Sequence, residues 1–584
     1  MTQTARKLWV LLTPVERRRA LLLTMLMFAG GVVEVTGLIS VVPLVAVLTS
    51  AADPCARLGA PAAGICSRLL PSRDPYLLAG LAFGLIALSN LLAFTVIWLS
   101  ARLNWSVWRR LSARVYDAYL EKPYAYFFDI HSSVVVKNVV FETERFANLV
   151  LMPILVLVSR MIVTVGVVLL VLAVDPSVSL AVVLLLAVLY AAVYRQLQGR
   201  VRNSGDVAFS ARERISGIAT ETVGGLRELR MLGCETHFAG RFRRAAHTLA
   251  RQYVYGVVVS VLPRYVIETA AFALMLGLAV YLRHKLGGWQ TAAPLLAFYV
   301  FAAYRLLPQF QQIYANAMVV QQNARIVDAL AELTMQEGAQ PATREARAPS
   351  APLNPPISLQ AVTYQYPGTA TPVLERASME IPARSTVGLV GITGAGKSTI
   401  IDLIAGLLPP GDGSISLNGT PLDAELAPAW RMRIGYVPQV PFLLDDTIRR
   451  NIAFGLPDEE ISQQGVERAA RLANIHDFVA SLPEGYETPT GERGVRLSGG
   501  QRQRLVIARA LYRDPEMLIF DEATSALDQE TEQAVMDAIR TLAHQKTLLI
   551  ISHRPATLQG CDLVYEVADG KITLRQAAAL RSSA

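Results

Sequence analysis

Charge is scarce in this chain. Of 584 residues, 17% are Asp, Glu, Lys or Arg and 52% are hydrophobic, with a mean hydropathy of +0.36. A soluble enzyme carries more charge. The net charge of +8 does not point to nucleic acid, because the excess sits beside apolar runs, at Arg17-Arg18-Arg19, Arg109-Arg110 and Arg241 to Arg244. There it marks cytoplasmic ends of membrane spans, and no nucleic-acid partner is expected. Internal repeats are absent. Cysteine is rare, with four residues. Cys55 and Cys66 fall between two apolar runs, on the side that the charge distribution places outside the cell. A disulfide is chemically reasonable there, and two free thiols are the alternative. Cys234 and Cys561 fall in segments read as cytosolic and are expected as free thiols.

What the chain does have is long apolar runs. A span needs about 20 residues, and six can be drawn, at about 20–48, 76–100, 149–174, 178–198, 254–282 and 291–320. The first is too long for the apolar region of a signal peptide, roughly 7–15 residues, so it reads as a retained span. Arg and Lys cluster on one side of all six. The basic stretches after the second and fourth spans are too long for structureless loops. They read as helical struts whose turns, near Tyr126 to Ser132 and Ser216 to Gly225, face a soluble domain. Residues 1–335 thus form a membrane domain, 336–356 a Pro- and Ala-rich linker, 357–575 an α/β domain and 576–584 a tail.

Two motifs carry the chemistry. Gly391-Ile-Thr393-Gly394-Ala395-Gly396-Lys397-Ser398-Thr399 lies between an apolar strand and an apolar helix, the context that confirms a phosphate-binding loop. Its backbone N–H groups and the helix N-terminus favour phosphate oxygens. Lys397 is expected on the β- and γ-phosphates of ATP and Ser398 on Mg²⁺. Met517 to Glu522 is an apolar strand ending in two carboxylates. Asp521 is placed for the Mg²⁺ shell, and Glu522 for general-base work on the attacking water. Further on the N-terminal side, Leu497-Ser498-Gly499-Gly500-Gln501 opens an Arg-rich helix, whose first backbone donors form another anion site.

In its motifs and their order, the segment from about Ile357 to about Leu574 resembles the nucleotide-binding domain of ATP-binding-cassette exporters. The resemblance implies adenine stacking on Tyr366, a metal- and water-contacting role for Gln439, a γ-phosphate contact for His553, and communication across a dimer by Ser525 to Asp528. It also implies that Ser498, Gly499, Gly500 and Gln501 clamp nucleotide bound to another cassette. Gly491-Glu-Arg-Gly494 is similar to a short motif found before that signature. A homodimer needs only one gene, and all motifs are intact; pairing with a degenerate partner is the alternative. The implied fold is a membrane α-helical bundle of six transmembrane helices, of the exporter type, joined to an α/β P-loop nucleotide-binding domain.

Charges within the spans mark candidate pathways: Glu34, Arg160, Arg264, Glu268 and Arg305. Arg264 and Glu268, at i and i+4, can neutralise each other on one helix face. Arg160 can snorkel to the interface. Arg305 has no acid nearby in its own helix. The patches around Glu34, around Leu262 to Phe272 and at Ala303 to Pro308 resemble bacterial lipid-linked oligosaccharide flippases. That likeness implies phosphate recognition by Arg264 and Arg305, with Glu34 beside the path. Where a further arginine of that family aligns, this chain has Ser89 or Asn90. The expectation is a multi-pass transport ATPase of the cytoplasmic (inner) membrane, its cassette in the cytoplasm, moving a lipid-linked oligosaccharide or similar lipid-anchored molecule. Export of a peptide, lipid or drug-like amphiphile is the alternative.

Overall fold

The computed structural model describes residues 7, 9, 11–48, 75–174, 176–286, 289–335, 355–523, 532, 533, 543–552, 558 and 560–575. Cys55, Cys66, His553, Ser525 to Asp528, most of the 336–356 linker and the 576–584 tail lie outside them. The chain divides into two compact units. One is Met1–Lys122 with Ile130–Gln340; the other is Pro123–Asp129 with Pro341–Ala584.

The first unit is helical. Its long helices are α1 (Pro14–Leu48), α2 (Pro75–Leu120), α3 (Met152–Val174), α4 (Pro176–Gly224), α5 (Glu235–Leu286) and α6 (Trp289–Gln322), followed by α7 (Ala324–Met335). Four stretches are long and apolar enough to cross a membrane among the described residues: Pro14–Gly37, Ala79–Leu120, Ser132–Ala173 and Glu235–His284. The struts expected from the sequence are continuations of these helices. With 46, 49 and 52 residues, α2, α4 and α5 reach about 70–78 Å at roughly 1.5 Å per residue. That is more than twice the hydrocarbon thickness of about 30 Å. The turn after α4 comes later than expected, since the helix runs to Gly224. A short helix Leu226–Leu232 follows, ended by Gly233 at φ 65°, a left-handed stop that glycine makes readily.

Pro263 sits inside α5. A proline has no N–H to give the carbonyl four residues back, which here is Val259. That carbonyl instead accepts the Tyr314 hydroxyl at 3.3 Å, so α6 supplies the donor that α5 lacks.

The second unit is α/β. Its larger sheet has the order β10-β9-β3-β8-β7-β6, built from β3 (Thr386–Val390), β6 (Ile434–Val437), β7 (Met517–Asp521), β8 (Thr547–Ile551), β9 (Leu563–Ala568) and β10 (Lys571–Arg575). The pairs from β9 to β6 are parallel, and β10 is antiparallel to β9. The short apolar runs in β3, β7 and β8 are buried throughout or nearly so, as central parallel strands require. A four-stranded antiparallel sheet contains β1 (Ile357–Tyr364) and β2 (Leu374–Ile381). Two apolar cores result. One packs α8 (Lys397–Ile404) and β1 to β3; the other packs α9 (Gly499–Tyr512) and the residues around it.

Candidate functional site

The phosphate loop leaves buried β3 and turns into α8. Gly391 has φ 155°, and a Cβ there would meet the Val567 carbonyl oxygen at 2.4 Å. Only glycine lets the loop run so close to β9. Gly396 caps α8 at φ 103°. The Lys397 ammonium folds back on its own loop, donating to the carbonyls of Gly391 at 2.6 Å and Ile392 at 3.0 Å. Burial lowers its pKa, while Glu522 and Asp521 pull it upward. Ser398 faces solvent, and Thr399 is buried.

Two carboxylates close the other side. Asp521 ends β7, and burial raises its carboxyl while a Tyr436 hydrogen bond lowers it. Glu522 follows at φ 47°, a left-handed conformation unusual for a residue with a side chain and frequent at functional positions. Its carboxylate accepts the Gln439 amide at 2.6 Å. The sequence therefore selected residues from separate segments that the fold brings together: Lys397 is in the field of Asp521 and Glu522, and Gln439 touches Glu522. No three His, Cys, Asp or Glu residues form a metal cage among the described residues.

Sequence reading passed over two neighbours. Tyr436, three residues before Gln439 on β6, donates its hydroxyl to Asp521 at 3.3 Å. Asp402 lies one turn into α8 from the loop, and its carboxyl is pushed up to about 6 by burial and then by Asp521. Tyr436 stands at a strand end and Asp402 at i+5 from Lys397, but neither matches a motif. Tyr366 bonds through its hydroxyl to Thr399 at 3.0 Å. Its ring continues an edge-to-face series: Tyr364 at 5.1 Å, Phe128 at 5.2 Å, and Tyr124 a further 5.2 Å on. The first cytoplasmic turn, the 3₁₀ helix Tyr124–Phe128, is thus packed within the second unit.

The signature begins α9 as a capping box. Ser498 Oγ accepts the Gln501 backbone N–H at 3.2 Å, and Gln501 Oε1 accepts that of Ser498 at 2.8 Å. This satisfies two end groups reciprocally and leaves the backbone donors of Gly499 and Gly500 at the helix start. The signature helix and the phosphate-loop helix belong to different cores.

In the helical unit, Arg305 meets Glu34 of α1 at 3.1 Å. The acid missing from its own helix comes from 271 residues away. Both line a narrow space with Gly37, Ile86, Ser89 and Phe301. Arg264 is not brought there. It pairs with Glu268 at 3.5 Å, and both side chains are about half exposed. Arg160 donates to Gln309 at 3.4 Å. Cys234 and Cys561 are free thiols.

Membrane-crossing helices joined to a P-loop unit whose carboxylates end a parallel strand define a membrane-bound nucleotide-binding protein. The family comparisons narrow this. Residues 21–307 match the ABC transporter transmembrane region, and residues 374–525 match the ABC transporter domain. The chain belongs to the ABC transporters. It is 35% identical over 364 residues to the ATP-dependent lipid A-core flippase of Saccharophagus degradans, covering 62% of this chain and 60% of that one. It is 41% identical to the sophorolipid transporter of Starmerella bombicola over 38% of this chain and 18% of that one. The matched stretches thus span less than two thirds of these relatives. A solved bacterial Atm1-family ABC exporter with ATP bound has the same fold, with a TM-score of 0.76 at 24% identity, covering 98% of this chain and 99% of that chain.

Proposed function

We propose that the chain is half of an ATP-driven exporter that moves a lipid-anchored polar molecule across the cytoplasmic membrane, with a lipid-linked oligosaccharide or similar polyprenyl-anchored phosphate as cargo. The names of both relatives contain a lipid. The observation that carries the cargo class is the Arg305–Glu34 pair. A charge within the apolar unit is costly and is kept for function, and guanidinium binds phosphate oxygens bidentately without losing its proton. Because Arg305 already holds Glu34, a cargo phosphate would exchange with that carboxylate and could leave again. Ser89, on the same space, adds a hydroxyl. Arg264 is a less favoured contact. Export of a peptide, lipid or drug-like amphiphile is the second reading.

In the cassette, Lys397 leaves its loop carbonyls for the β- and γ-phosphates, and Tyr366 stacks on adenine. Gln439 and Glu522 orient the attacking water, and Glu522 takes its proton. Mg²⁺, held by Ser398 and Asp521, would offset charge on the phosphates. His553 is assigned to the γ-phosphate. Ser498 and the Gly499 and Gly500 donors serve nucleotide on a second copy, since within one chain they belong to another core. Exposure favours that dimer: on the second cytoplasmic turn Val223, Met231 and Leu232 are 75%, 82% and 75% exposed, an apolar surface suited to a partner cassette. A degenerate partner chain is the alternative to a second copy.

The test is ATPase activity in nanodiscs against a panel of lipids. Pyrophosphate-linked polyprenyl lipid is expected to stimulate turnover, and Arg305→Ala to remove the stimulation. Absence of stimulation by every such lipid ends this cargo assignment.

A further inference from the structure

The helical unit holds a second charged space, separate from Arg305. A cavity of about 190 Å³ opens where the segment leading into α3 meets α4, α5 and the junction of α6 with α7. Its shape depends on close packing. A Cβ on Gly205 would lie 1.9 Å from the Gln322 carbonyl oxygen, and one on Gly256 would lie 2.4 Å from the Gln322 amide. Gln322 is thereby wedged between α4 and α5, with its amide donating to the Gln252 carbonyl at 3.3 Å.

Three arginines line the cavity, Arg145, Arg212 and Arg325, and no acid does. Glu142, 1% exposed, accepts Arg145 at 2.9 Å and Arg212 at 3.4 Å. Arg145 also donates to Asn323 at 2.8 Å, and Arg212 donates to the Tyr253 hydroxyl. One carboxylate therefore serves two guanidinium groups, and Arg325 forms none of the ion pairs seen among the described residues. The lining carries surplus positive charge, and Arg325 is exposed to solvent at its mouth; an anion is favoured beside such a cluster.

Charge and apolar surface are also ordered along the helices. Before α3, Arg145 lies on the cytoplasmic side of Leu149; Arg325 of α7 lies on the cytoplasmic side of Val319 of α6; on α5 the polar residue on the cytoplasmic side of Val257 is Tyr253. Val257 is 64% exposed. Arg145, Tyr253 and Gln322 fall within a few residues of the cytoplasmic ends of the apolar runs, close to where lipid headgroups lie, while Arg212 reaches the cavity from further along the strut of α4. At this volume the cavity is smaller than an ordinary ligand pocket of roughly 300–1,000 Å³. It suits a headgroup rather than a whole amphiphile.

We propose that this cavity seats the phosphate of an anionic lipid from the cytoplasmic leaflet. Arg145, Arg212 and Arg325 hold the headgroup, and the chain leaves past Val257 and Val319. Basic pockets between membrane helices recognise head groups in this way. The site rests on the spanning helices alone and does not depend on the identity of the transported cargo.

The experiment uses the full chain in phosphatidylcholine nanodiscs with photoactivatable phosphatidylglycerol or phosphatidylcholine, the labelled residues being mapped by mass spectrometry. Phosphatidylglycerol is expected to label the Val257 and Val319 segments about ten-fold more than phosphatidylcholine. Arg325→Glu should remove that preference, and the milder Arg325→Gln should reduce it; gel filtration and thermal unfolding check that each variant is folded. Excess inorganic phosphate should leave the labelling intact. Equal labelling by the two lipids, or a preference unchanged in a folded Arg325→Glu protein, overturns the proposal. Displacement by inorganic phosphate overturns it in favour of a soluble anion. Since binding is read directly, failure here leaves the export reading standing, and loss of lipid-stimulated turnover leaves this site standing.

Discussion

The two units treat charge in opposite ways. The cassette gathers ionisable groups at strand ends and helix starts, where the backbone fixes them and their partners are incomplete. Lys397 rests on two carbonyls of its own loop, and burial makes charge unfavourable on Asp521. The helical unit instead buries two of its acids, Glu34 and Glu142, where arginines from distant helices reach them. Glu34 and Glu142 are 15% and 1% exposed and meet bases 271 and 70 residues away. A site of the first kind would be completed by a bound ligand. A site of the second kind is already neutral at its acid, and what remains open to a ligand is surplus arginine. Chemistry belongs to the first arrangement and recognition to the second.

The sharpest way to break this contrast is at Glu522. Its carboxylate is held by Gln439 at 2.6 Å, and the positive φ at 47° fixes where it points. Glu522→Gln keeps the shape and the hydrogen bond but loses the basic oxygen. Turnover should fall by about 10²–10⁴-fold, the usual worth of a positioned general base. Nucleotide binding, followed with a fluorescent analogue, should persist. Near-wild-type hydrolysis would remove the catalytic role from the strand end.

The helical unit predicts a stability effect in place of a rate effect. Removing one member of a buried ion pair costs about 3–5 kcal/mol when both are fully buried. Arg305 keeps 34% of its side-chain exposure and Glu34 15%, so solvent screens part of that, and about 1–3 kcal/mol is expected for Glu34→Gln or Arg305→Gln. The double variant should recover part of the loss, because no unpaired charge is left behind. Thermal unfolding of the four proteins in detergent measures the coupling. Strict additivity would mean that the two side chains do not communicate.

The same contrast explains what could be read from the sequence. Cassette motifs are local: the spacing from Gly391 to Ser398 and the capping pattern of Ser498 with Gln501 survive as strings, and the fold places them as the strings suggest. The long helices were legible from apolar runs and their basic extensions. The pairing of Glu34 with Arg305, the sharing of Glu142 between Arg145 and Arg212, and the rescue of the Val259 carbonyl by Tyr314 were not. Each joins helices far apart in sequence, and apolar periodicity says which face is buried without saying what lies opposite. Tyr436 and Asp402 escaped for another reason. Tyr436 donates to Asp521 and Asp402 feels its charge, from positions on β6 and α8 that no motif specifies. The end of α4 was placed too loosely because Ser216 to Gly225, with its glycines and threonines, resembles a turn, whereas the helix runs on to Gly224.

Asp402 gives the smallest effect and separates the units by pH. Its folded pKa of about 6 lies above the unfolded carboxyl value of about 3.9, so the native state binds the proton more tightly. Stability contributed by this group is therefore fully present below about pH 4 and is lost as pH rises through about 6. At neutral pH the buried carboxylate is a liability on the order of 1–2 kcal/mol, allowing for its partial exposure and for the usual value of about 1.4 kcal/mol per pKa unit. Asp402→Asn removes the charge while keeping the size. It should raise the unfolding temperature of the cassette by a few degrees at pH 7.5, at roughly 2–4 °C per kcal/mol for a domain of this size, and the gain should shrink toward zero as pH approaches 4. The transition of the helical unit should not follow, since Asp402 belongs to the other compact unit. A gain independent of pH would assign the effect to altered packing. A loss of stability at pH 7.5 would show that the charged carboxylate has a favourable partner there.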